Sequence, residues 1–176
     1  MRAGIALGSN LGDRLHFLEE ARRRLFSLHE GPGAFLCSQI YESDPVDCPD
    51  GSASFLNAAI ELSTSLPPLD LLAGLQSIEV ELGRPKDHAF HGPRSIDLDL
   101  LYCDDLQLSH PSLTLPHPRI AERLFVLKPL CDITPERILP GGQESVGILC
   151  RDLEKMSPCA QIRVFSLEFG NSTAHR

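Results

Sequence analysis

Two aspartates, Asp97 and Asp99, stand at alternate positions of a short segment that is otherwise apolar. On a β-strand, residues two apart point to the same face, with Cα atoms about 6.5–7 Å apart. Hard divalent cations prefer carboxylate oxygens, and Mg²⁺ is commonly held by one or two carboxylates together with substrate phosphates. An isolated Asp-x-Asp pair on a strand is more often a solvated face, so the pair alone leaves both interpretations open.

The residues before the aspartates favour the metal interpretation. Arg94 precedes Asp97 by three positions, and the polar loop over residues 83–93 contains Arg84, Lys86 and two histidines. These side chains bring positive charge to the place where phosphate oxygens would meet a metal. The residues that alternate with the aspartates are apolar, which indicates that the other face of the strand is packed.

Two further groups have side chains suited to a ligand. His117, Arg123 and Phe125 form a possible phosphate clamp with an aromatic ring nearby. Taken alone, these residues are better explained by a loop that runs into a helix with a polar first turn. Phe55 and Asn57 share one face of a predicted strand, where an aromatic ring and an amide suit a flat heterocycle through stacking and hydrogen bonding. Taken alone, Phe55 is more typical of a core aromatic.

Hydrophobic periodicity predicts the elements that must position these residues. The order is β-α-β-β-α-β, which predicts a ferredoxin-like α+β fold: an antiparallel sheet with both helices on one face. Additional C-terminal helices would partly cover the other face, and Ser9 or Asn10 would cap the first helix. The predicted strands are 2–7, 35–41, 55–64 and 96–102, the predicted helices are 11–28, 67–82, 120–131 and 144–154, and the tail over 161–169 is a further candidate strand.

Length and composition limit the possible classes of protein. The 176 residues suffice for one domain, which we place at 1–155 with a tail of unassigned role at 156–176. A net charge of −8 argues against general nucleic-acid binding, and no apolar run is long enough to span a membrane. The six cysteines include no Cys-x-x-Cys pair, and no secretory signal is evident, so we expect a cytoplasmic protein. The sequence contains no P-loop motif.

Taken together and in this order, several blocks of the sequence resemble the 6-hydroxymethyl-7,8-dihydropterin pyrophosphokinase family. A single block could arise by chance, whereas the complete series at this spacing is highly specific. The resemblance extends from residue 6 to about residue 149. The blocks are Ala6-Leu-Gly-Ser-Asn-Leu11, the stretch from Tyr41 to Pro45, Phe55-Leu-Asn57-Ala-Ala, Gly83-Arg84, Gly92-Pro-Arg94-x-x-Asp97-x-Asp99 and Pro116-His117 to Arg123-x-Phe125.

The resemblance implies an enzyme with a ferredoxin-like fold that transfers the β,γ-diphosphate of ATP to the hydroxymethyl oxygen of the pterin and releases AMP. It implies Mg²⁺, expected as two ions, as cofactor, and ATP and 6-hydroxymethyl-7,8-dihydropterin as substrates. By position, Asp97 and Asp99 match the metal ligands, and Arg84 and Arg94 match the catalytic residues. ATP-binding positions are Gln76, Arg84, Lys86, Arg94, Thr114, His117 and Arg123, and pterin-binding positions are Ser43, Val46, Phe55, Asn57 and Phe125, with Phe55 and Phe125 enclosing the pterin ring.

The loops over 43–54 and 83–93 are expected to close over the substrates and exclude water. The chain departs from the usual family pattern in the second loop, where Phe90-His91 replaces a basic residue followed by an aromatic. We expect a monomer that binds neither nucleic acid nor membrane. The alternative is a non-catalytic ferredoxin-like module that binds a nucleotide or another effector.

Overall fold

One large antiparallel sheet with helices on both faces forms the core of the protein. The structure is a computed structural model, and it describes residues 1–45, 51, 53–84, 94–156, 162–166 and 169. The strands are β1 (Arg2–Ser9), β2 (Leu36–Cys37), β3 (Ile40–Ser43), β4 (Phe55–Ser63), β5 (Asp97–Cys103), β6 (Leu108–His110), β7 (Leu113–Leu115) and β8 (Ile162–Ser166). The helices are α1 (Arg14–Phe26), α2 (Pro68–Glu81), α3 (Leu124–Ile133) and α4 (Val146–Met156), with a 3₁₀ turn at Ile120–Glu122. No helix in these ranges is long and apolar enough to cross a bilayer.

The strand order of the large sheet is β5-β1-β4-β3-β8, and β2 also pairs with β4. The first four strands in this order, with α1 and α2 as crossovers, reproduce the predicted ferredoxin-like fold. The tail adds β8, which pairs antiparallel with β3 at the outer edge of the sheet. The small hairpin of β6 and β7 was not predicted, because three-residue strands show too little periodicity.

Helices pack on both faces of the sheet, and they cover the second face only in part. On the first face, apolar residues such as Leu7, Ile60 and Leu98 pack with α1 and α2. On the second face, Ala59 and Leu101 pack with residues of α3 and α4. The predicted C-terminal helices therefore cover part of the second face, which also carries the polar side chains of β4 and β5.

Three predicted elements differ in detail. The strand expected over 35–41 is divided into β2 and β3, because the Ser38 hydroxyl takes the backbone N–H of Ala59 at 2.8 Å in place of a ladder hydrogen bond. Helix α1 begins at Arg14, and its cap is Asp13, whose carboxylate accepts the backbone N–H of His16 at 3.1 Å. The helix predicted over 120–131 is a 3₁₀ turn followed by α3, since Arg123 between them is extended.

Candidate active site

Polar side chains from two strands flank a glycine of the strand between them on the second face of the sheet. Gly8 of β1 pairs with Asn57 of β4 on one side and with Asp97 of β5 on the other. A β-carbon placed on Gly8 would lie 3.9 Å from Asn57 Oδ1, from Asp97 Cβ and from Phe55 Cδ1. The glycine thus leaves an open floor between an amide and an aromatic ring on one side and a carboxylate on the other.

Two arginines hold Asp97 from opposite directions. Arg84 Nη1 donates to Asp97 Oδ1 at 2.5 Å, and Arg94 Nη1 donates to Asp97 Oδ2 at 2.6 Å. Both arginine side chains are largely buried, at 12% and 16% exposure, so these pairs are less screened than surface ion pairs. The structure therefore brings together three of the residues that the sequence predicts for phosphate and metal binding.

Backbone contacts at the ends of the 83–93 loop position these two arginines. The Asn10 side chain accepts the backbone N–H of Arg94 at 2.9 Å, and the Asn10 backbone N–H donates to the Arg94 carbonyl at 3.2 Å. Asn10 therefore anchors Arg94. The prediction that Ser9 or Asn10 caps α1 is wrong, because the cap is Asp13. At the other end, Gly83 has a φ of 90°, a left-handed conformation that ends α2 and directs the chain to Arg84.

Asp99 lies on the same sheet face as Asp97, and it pairs with Ala6 of β1. Its carboxylate is 3.9 Å from Arg123 Nη1, and its side chain keeps 40% of its surface exposed. Partial burial, followed by repulsion from Asp97, raises the pKa of Asp99 to about 6. The second aspartate is thus less compensated than the first and more accessible to an incoming cation.

Glu79 is a member of the cluster that sequence reasoning missed. Its carboxylate bonds to Arg84 and accepts the backbone N–H of Leu98 at 2.7 Å. Burial raises the pKa of Glu79 to about 7, although the hydrogen bond from Leu98 and the charge of Arg84 oppose the rise. A charged residue next to the apolar stripe of α2 was the available signal, since Ile78 and Glu79 are both buried.

The three residues predicted for the pterin from strands β3 and β4 are adjacent. Asn57 Nδ2 donates to Ser43 Oγ at 2.9 Å, with both side chains buried, and Ser43 pairs with Phe55 across the two strands. Phe125 lies in the first turn of α3 and packs against the cluster on the second sheet face. The Arg123 guanidinium lies 5.7 Å from the centre of the Phe125 ring. The two aromatic rings predicted to enclose the pterin, Phe55 and Phe125, are therefore on the same side of the sheet.

The remaining predicted positions are less closely connected. His117 is held by its backbone N–H, which donates to the Leu101 carbonyl at 2.8 Å, and burial, followed by Arg123 and Arg119, lowers its pKa. Gln76 and Thr114 are exposed on α2 and β7, and among the described residues no hydrogen bond or ion pair joins them to the arginine–aspartate cluster. Val46 and Lys86 lie outside the described residues.

The donor set of this face fits Mg²⁺ bound together with phosphates. Asp97 and Asp99 supply carboxylate oxygens, and no group of three or more protein ligands occurs in the described part of the chain. Mg²⁺ usually takes only one or two protein carboxylates and completes its shell with water and phosphate oxygens. The nearby Arg84, Arg94 and Arg123 supply charges for a polyphosphate, so the arrangement suits a metal–nucleotide complex better than an isolated ion.

Known proteins resemble this chain in sequence. The profile of the family described as 7,8-dihydro-6-hydroxymethylpterin-pyrophosphokinase (HPPK) matches residues 4–135. The 2-amino-4-hydroxy-6-hydroxymethyldihydropteridine pyrophosphokinase of Bacillus subtilis is 47% identical over 131 residues, which are 74% of this chain and 77% of that protein. The protein of the same name from Pseudomonas aeruginosa is 40% identical over 142 residues, covering 81% and 86% respectively.

Solved structures support the fold. The wild-type HPPK-DHPS of Plasmodium falciparum crystallised with pteroate aligns with a TM-score of 0.67 at 16% identity, over 89% of this chain and 43% of that chain. A second HPPK-DHPS structure, in complex with substrates, gives a TM-score of 0.70 over 89% and 44% of the two chains at 15% identity. At this identity the likeness concerns the fold alone. The family profile and the bacterial relatives place this chain in the 7,8-dihydro-6-hydroxymethylpterin-pyrophosphokinase family.

Proposed function

We propose that this protein transfers the diphosphate of ATP to the hydroxymethyl group of 6-hydroxymethyl-7,8-dihydropterin, releasing AMP, in folate biosynthesis. Family membership supports the reaction. The observation that carries it to this chain is the row Asn57–Gly8–Asp97 across three strands. Two strand spacings separate the ends of this row by roughly 9–10 Å. An amide suited to hydrogen-bond a flat heterocycle and a carboxylate suited to hold the metal ion of a metal–phosphate complex thus face one open floor.

On the phosphate side, Asp97 and Asp99 would hold two Mg²⁺ ions, which supply charge neutralisation for the polyphosphate. Arg84 and Arg94 would bind the transferring phosphates and stabilise the charge that spreads over them. Their present pairing with Asp97 supports this role, because the same guanidiniums are already held within reach of the metal face. His117 and Arg123 would contact ATP, with Gln76, Thr114 and Lys86 as further nucleotide positions.

On the pterin side, the Asn57 amide and the Ser43 hydroxyl supply hydrogen-bonding groups at the floor. Phe55 and Phe125 would stack on the two faces of the pterin ring, and Val46 would complete the pocket. Fixing the ring in this way directs its hydroxymethyl oxygen towards the phosphate side. Orientation of the attacking oxygen in line with the leaving group is the main catalytic contribution that we assign to these residues. None of them is required as a general base.

The test is AMP formation from ATP by the purified protein. We expect AMP only when Mg²⁺ and 6-hydroxymethyl-7,8-dihydropterin are both present, and omission of either should stop it. Release of ADP, or AMP formation in the absence of the pterin, would contradict the proposal. Nucleotide binding with no turnover under any of these conditions would instead support a non-catalytic effector-binding module. The monomeric state, the cytoplasmic location and the absence of nucleic-acid and membrane partners stay predictions.

A further inference from the structure

The tail strand β8 lies beside the strand that carries one side of the predicted pterin pocket. Its Ile162 pairs with Ser43 of β3, and its Arg163 pairs with Glu42. Ile162 packs on the second sheet face, the same face as Ser43. The family profile ends at residue 135, so β8 lies beyond the part of the chain that this profile describes.

Glu42 is the centre of a hydrogen-bonded network that joins β8 to both ends of the segment between β3 and β4. Arg163 donates twice to Glu42 Oε2, from Nε at 3.0 Å and from Nη2 at 2.6 Å. Glu42 Oε1 accepts from Arg14 Nη1 at 2.9 Å and from Ser54 Oγ at 2.8 Å. Arg14 Nη1 also donates to the Ser54 carbonyl at 2.9 Å, which fixes the backbone just before Phe55.

Both carboxylate oxygens of Glu42 accept hydrogen bonds in this network. The hydrogen bonds from Arg163 and then Ser54, with a further one from Arg14, lower the pKa of Glu42 to about 2. The Glu42 side chain is 12% exposed, whereas that of Arg163 is 72% exposed. The carboxylate therefore stays charged at neutral pH, and Arg163 closes the network from the solvent side.

The network acts on the pocket from behind. Glu42 pairs with Leu56, whose side chain belongs to the core on the first sheet face. Because side chains alternate along a strand, the neighbouring Ser43 and Phe55 point to the second face, where the pterin is expected. Glu42 and Arg163 therefore do not touch that ligand, but each end of the network is one residue away from a predicted pterin contact.

We propose that Arg163 is a positioning residue of the pterin pocket, which acts through Glu42 on the strand ends that carry Ser43 and Phe55. The inference rests on the proposed function, because it takes these two residues as pterin contacts. It gives the tail strand a role in substrate binding. It also confines that role to the pterin side, since the described ion pairs that join Arg84 and Arg94 to Asp97 do not involve β8.

The experiment compares Arg163→Ala with wild type and with Arg23→Ala, a matched control in which an exposed arginine of α1 loses its pairing with Glu20. The dissociation constant of 6-hydroxymethyl-7,8-dihydropterin is measured in the presence of Mg²⁺ and a non-hydrolysable ATP analogue. Arg163→Ala should raise this dissociation constant about two- to fivefold, a modest change because the Arg163 side chain is exposed and solvent screens its ion pair. Affinity for the ATP analogue and kcat at saturating pterin should stay unchanged.

A second variant separates positioning from a general effect on the fold. Arg163→Lys retains the charge and one donor to Glu42, and should recover part of the pterin affinity. An unchanged pterin dissociation constant in Arg163→Ala, equal weakening of pterin and nucleotide, or the same loss in Arg23→Ala would each overturn the inference. A wild-type protein that binds no pterin and forms no AMP would overturn the proposed function itself, and with it this inference, which makes the two failures distinguishable.

Discussion

Among single residues, the two aspartates differ in their surroundings although they share one strand face. Asp97 accepts hydrogen bonds from both Arg84 and Arg94. The contact of Asp99 with Arg123 is longer, at 3.9 Å. Replacement of Asp97 removes a charge that two buried guanidiniums need, and replacement of Asp99 relieves repulsion between like charges. Equal changes at the two positions should therefore affect stability differently, although both remove a proposed metal ligand.

We expect Asp97→Asn and Asp99→Asn each to lower Mg²⁺-dependent AMP formation by about 100-fold or more, because a bound metal contributes several kcal/mol of charge stabilisation. Without ligands, Asp97→Asn should lower Tm, while Asp99→Asn should leave it unchanged or raise it. Activity and thermal unfolding are measured on the same preparations. Near-normal turnover of both variants would contradict the metal assignment, and equal Tm changes would contradict the unequal pairing.

Phe125→Ala should weaken pterin binding about two- to tenfold, which corresponds to the roughly 0.5–1.5 kcal/mol of an aromatic pair beyond area burial. Nucleotide affinity should change less, because the contact of Phe125 with Arg123 is a modest cation–π interaction at 5.7 Å. Both affinities are obtained by equilibrium titration. Phe26→Ala is the control, since Phe26 is also a partly exposed helical aromatic. Equal weakening for both ligands would count against pterin stacking.

Among the secondary-structure elements, α2 is linked to β5 at the site by the Glu79 side chain. Glu79 of α2 accepts the Leu98 backbone N–H of β5 and pairs with Arg84, which in turn pairs with Asp97. The geometry of the arginine–aspartate cluster thus depends on how the helix packs on the strand. Because burial raises the pKa of Glu79 to about 7, the same contact makes the packing sensitive to pH.

The sign of this sensitivity follows from linkage. Between the ordinary glutamate pKa of 4.5 and the folded value of about 7, folded Glu79 keeps a proton that the unfolded chain has released. Its contribution to stability is therefore present below pH 4.5 and is lost as the pH rises towards 7. The free energy of unfolding of wild type relative to Glu79→Gln should fall over this interval by up to about 3 kcal/mol. Urea unfolding at several pH values without Mg²⁺ measures it, and parallel pH profiles for the two proteins would refute it.

Across the described part of the molecule, the second sheet face is open over Gly8 and closed at its other end. Gly4, four residues before Gly8 on β1, pairs with Glu61 on β4 and with Tyr102 on β5. Tyr102 lies over the glycine, where an added β-carbon would be 2.3 Å from its Cε1 atom. Its hydroxyl donates to Glu61 Oε2 at 2.7 Å, and Arg137 Nη2 donates to the same oxygen at 3.2 Å.

This closed end should be a large contributor to stability without affecting the site. The Glu61 and Arg137 side chains are 4% and 8% exposed, so Arg137→Leu removes the nearest cation of a buried carboxylate. We expect a loss of about 3–5 kcal/mol in unfolding free energy, with much of it recovered in Glu61→Gln/Arg137→Leu. Denaturant unfolding measures the loss. A loss of unfolding free energy below about 1 kcal/mol, or a double variant no more stable than Arg137→Leu, would contradict this role of the Glu61–Arg137 pair in stability.

The sequence by itself determined the features that depend on near neighbours along the chain. Alternation placed Asp97 and Asp99 on one face of β5 and Phe55 and Asn57 on one face of β4, because side-chain direction in a strand is a local property. The order of strands and helices predicted the ferredoxin-like fold, and the spacing of the motif blocks identified the family. Each of these predictions is confirmed by the fold or by the relatives, whereas the roles of the site residues stay predictions.

Only the tertiary structure decided which distant groups meet. Periodicity contains no information on which residue across the sheet faces Asp97, so the row Asn57–Gly8–Asp97 required the strand register. Glu79 was missed because its environment depends on Leu98 of another element, and Glu42 because its partner Arg163 is 121 residues away. Burial and pairing are properties of the packed chain, since they are set by contacts that form only when distant segments come together.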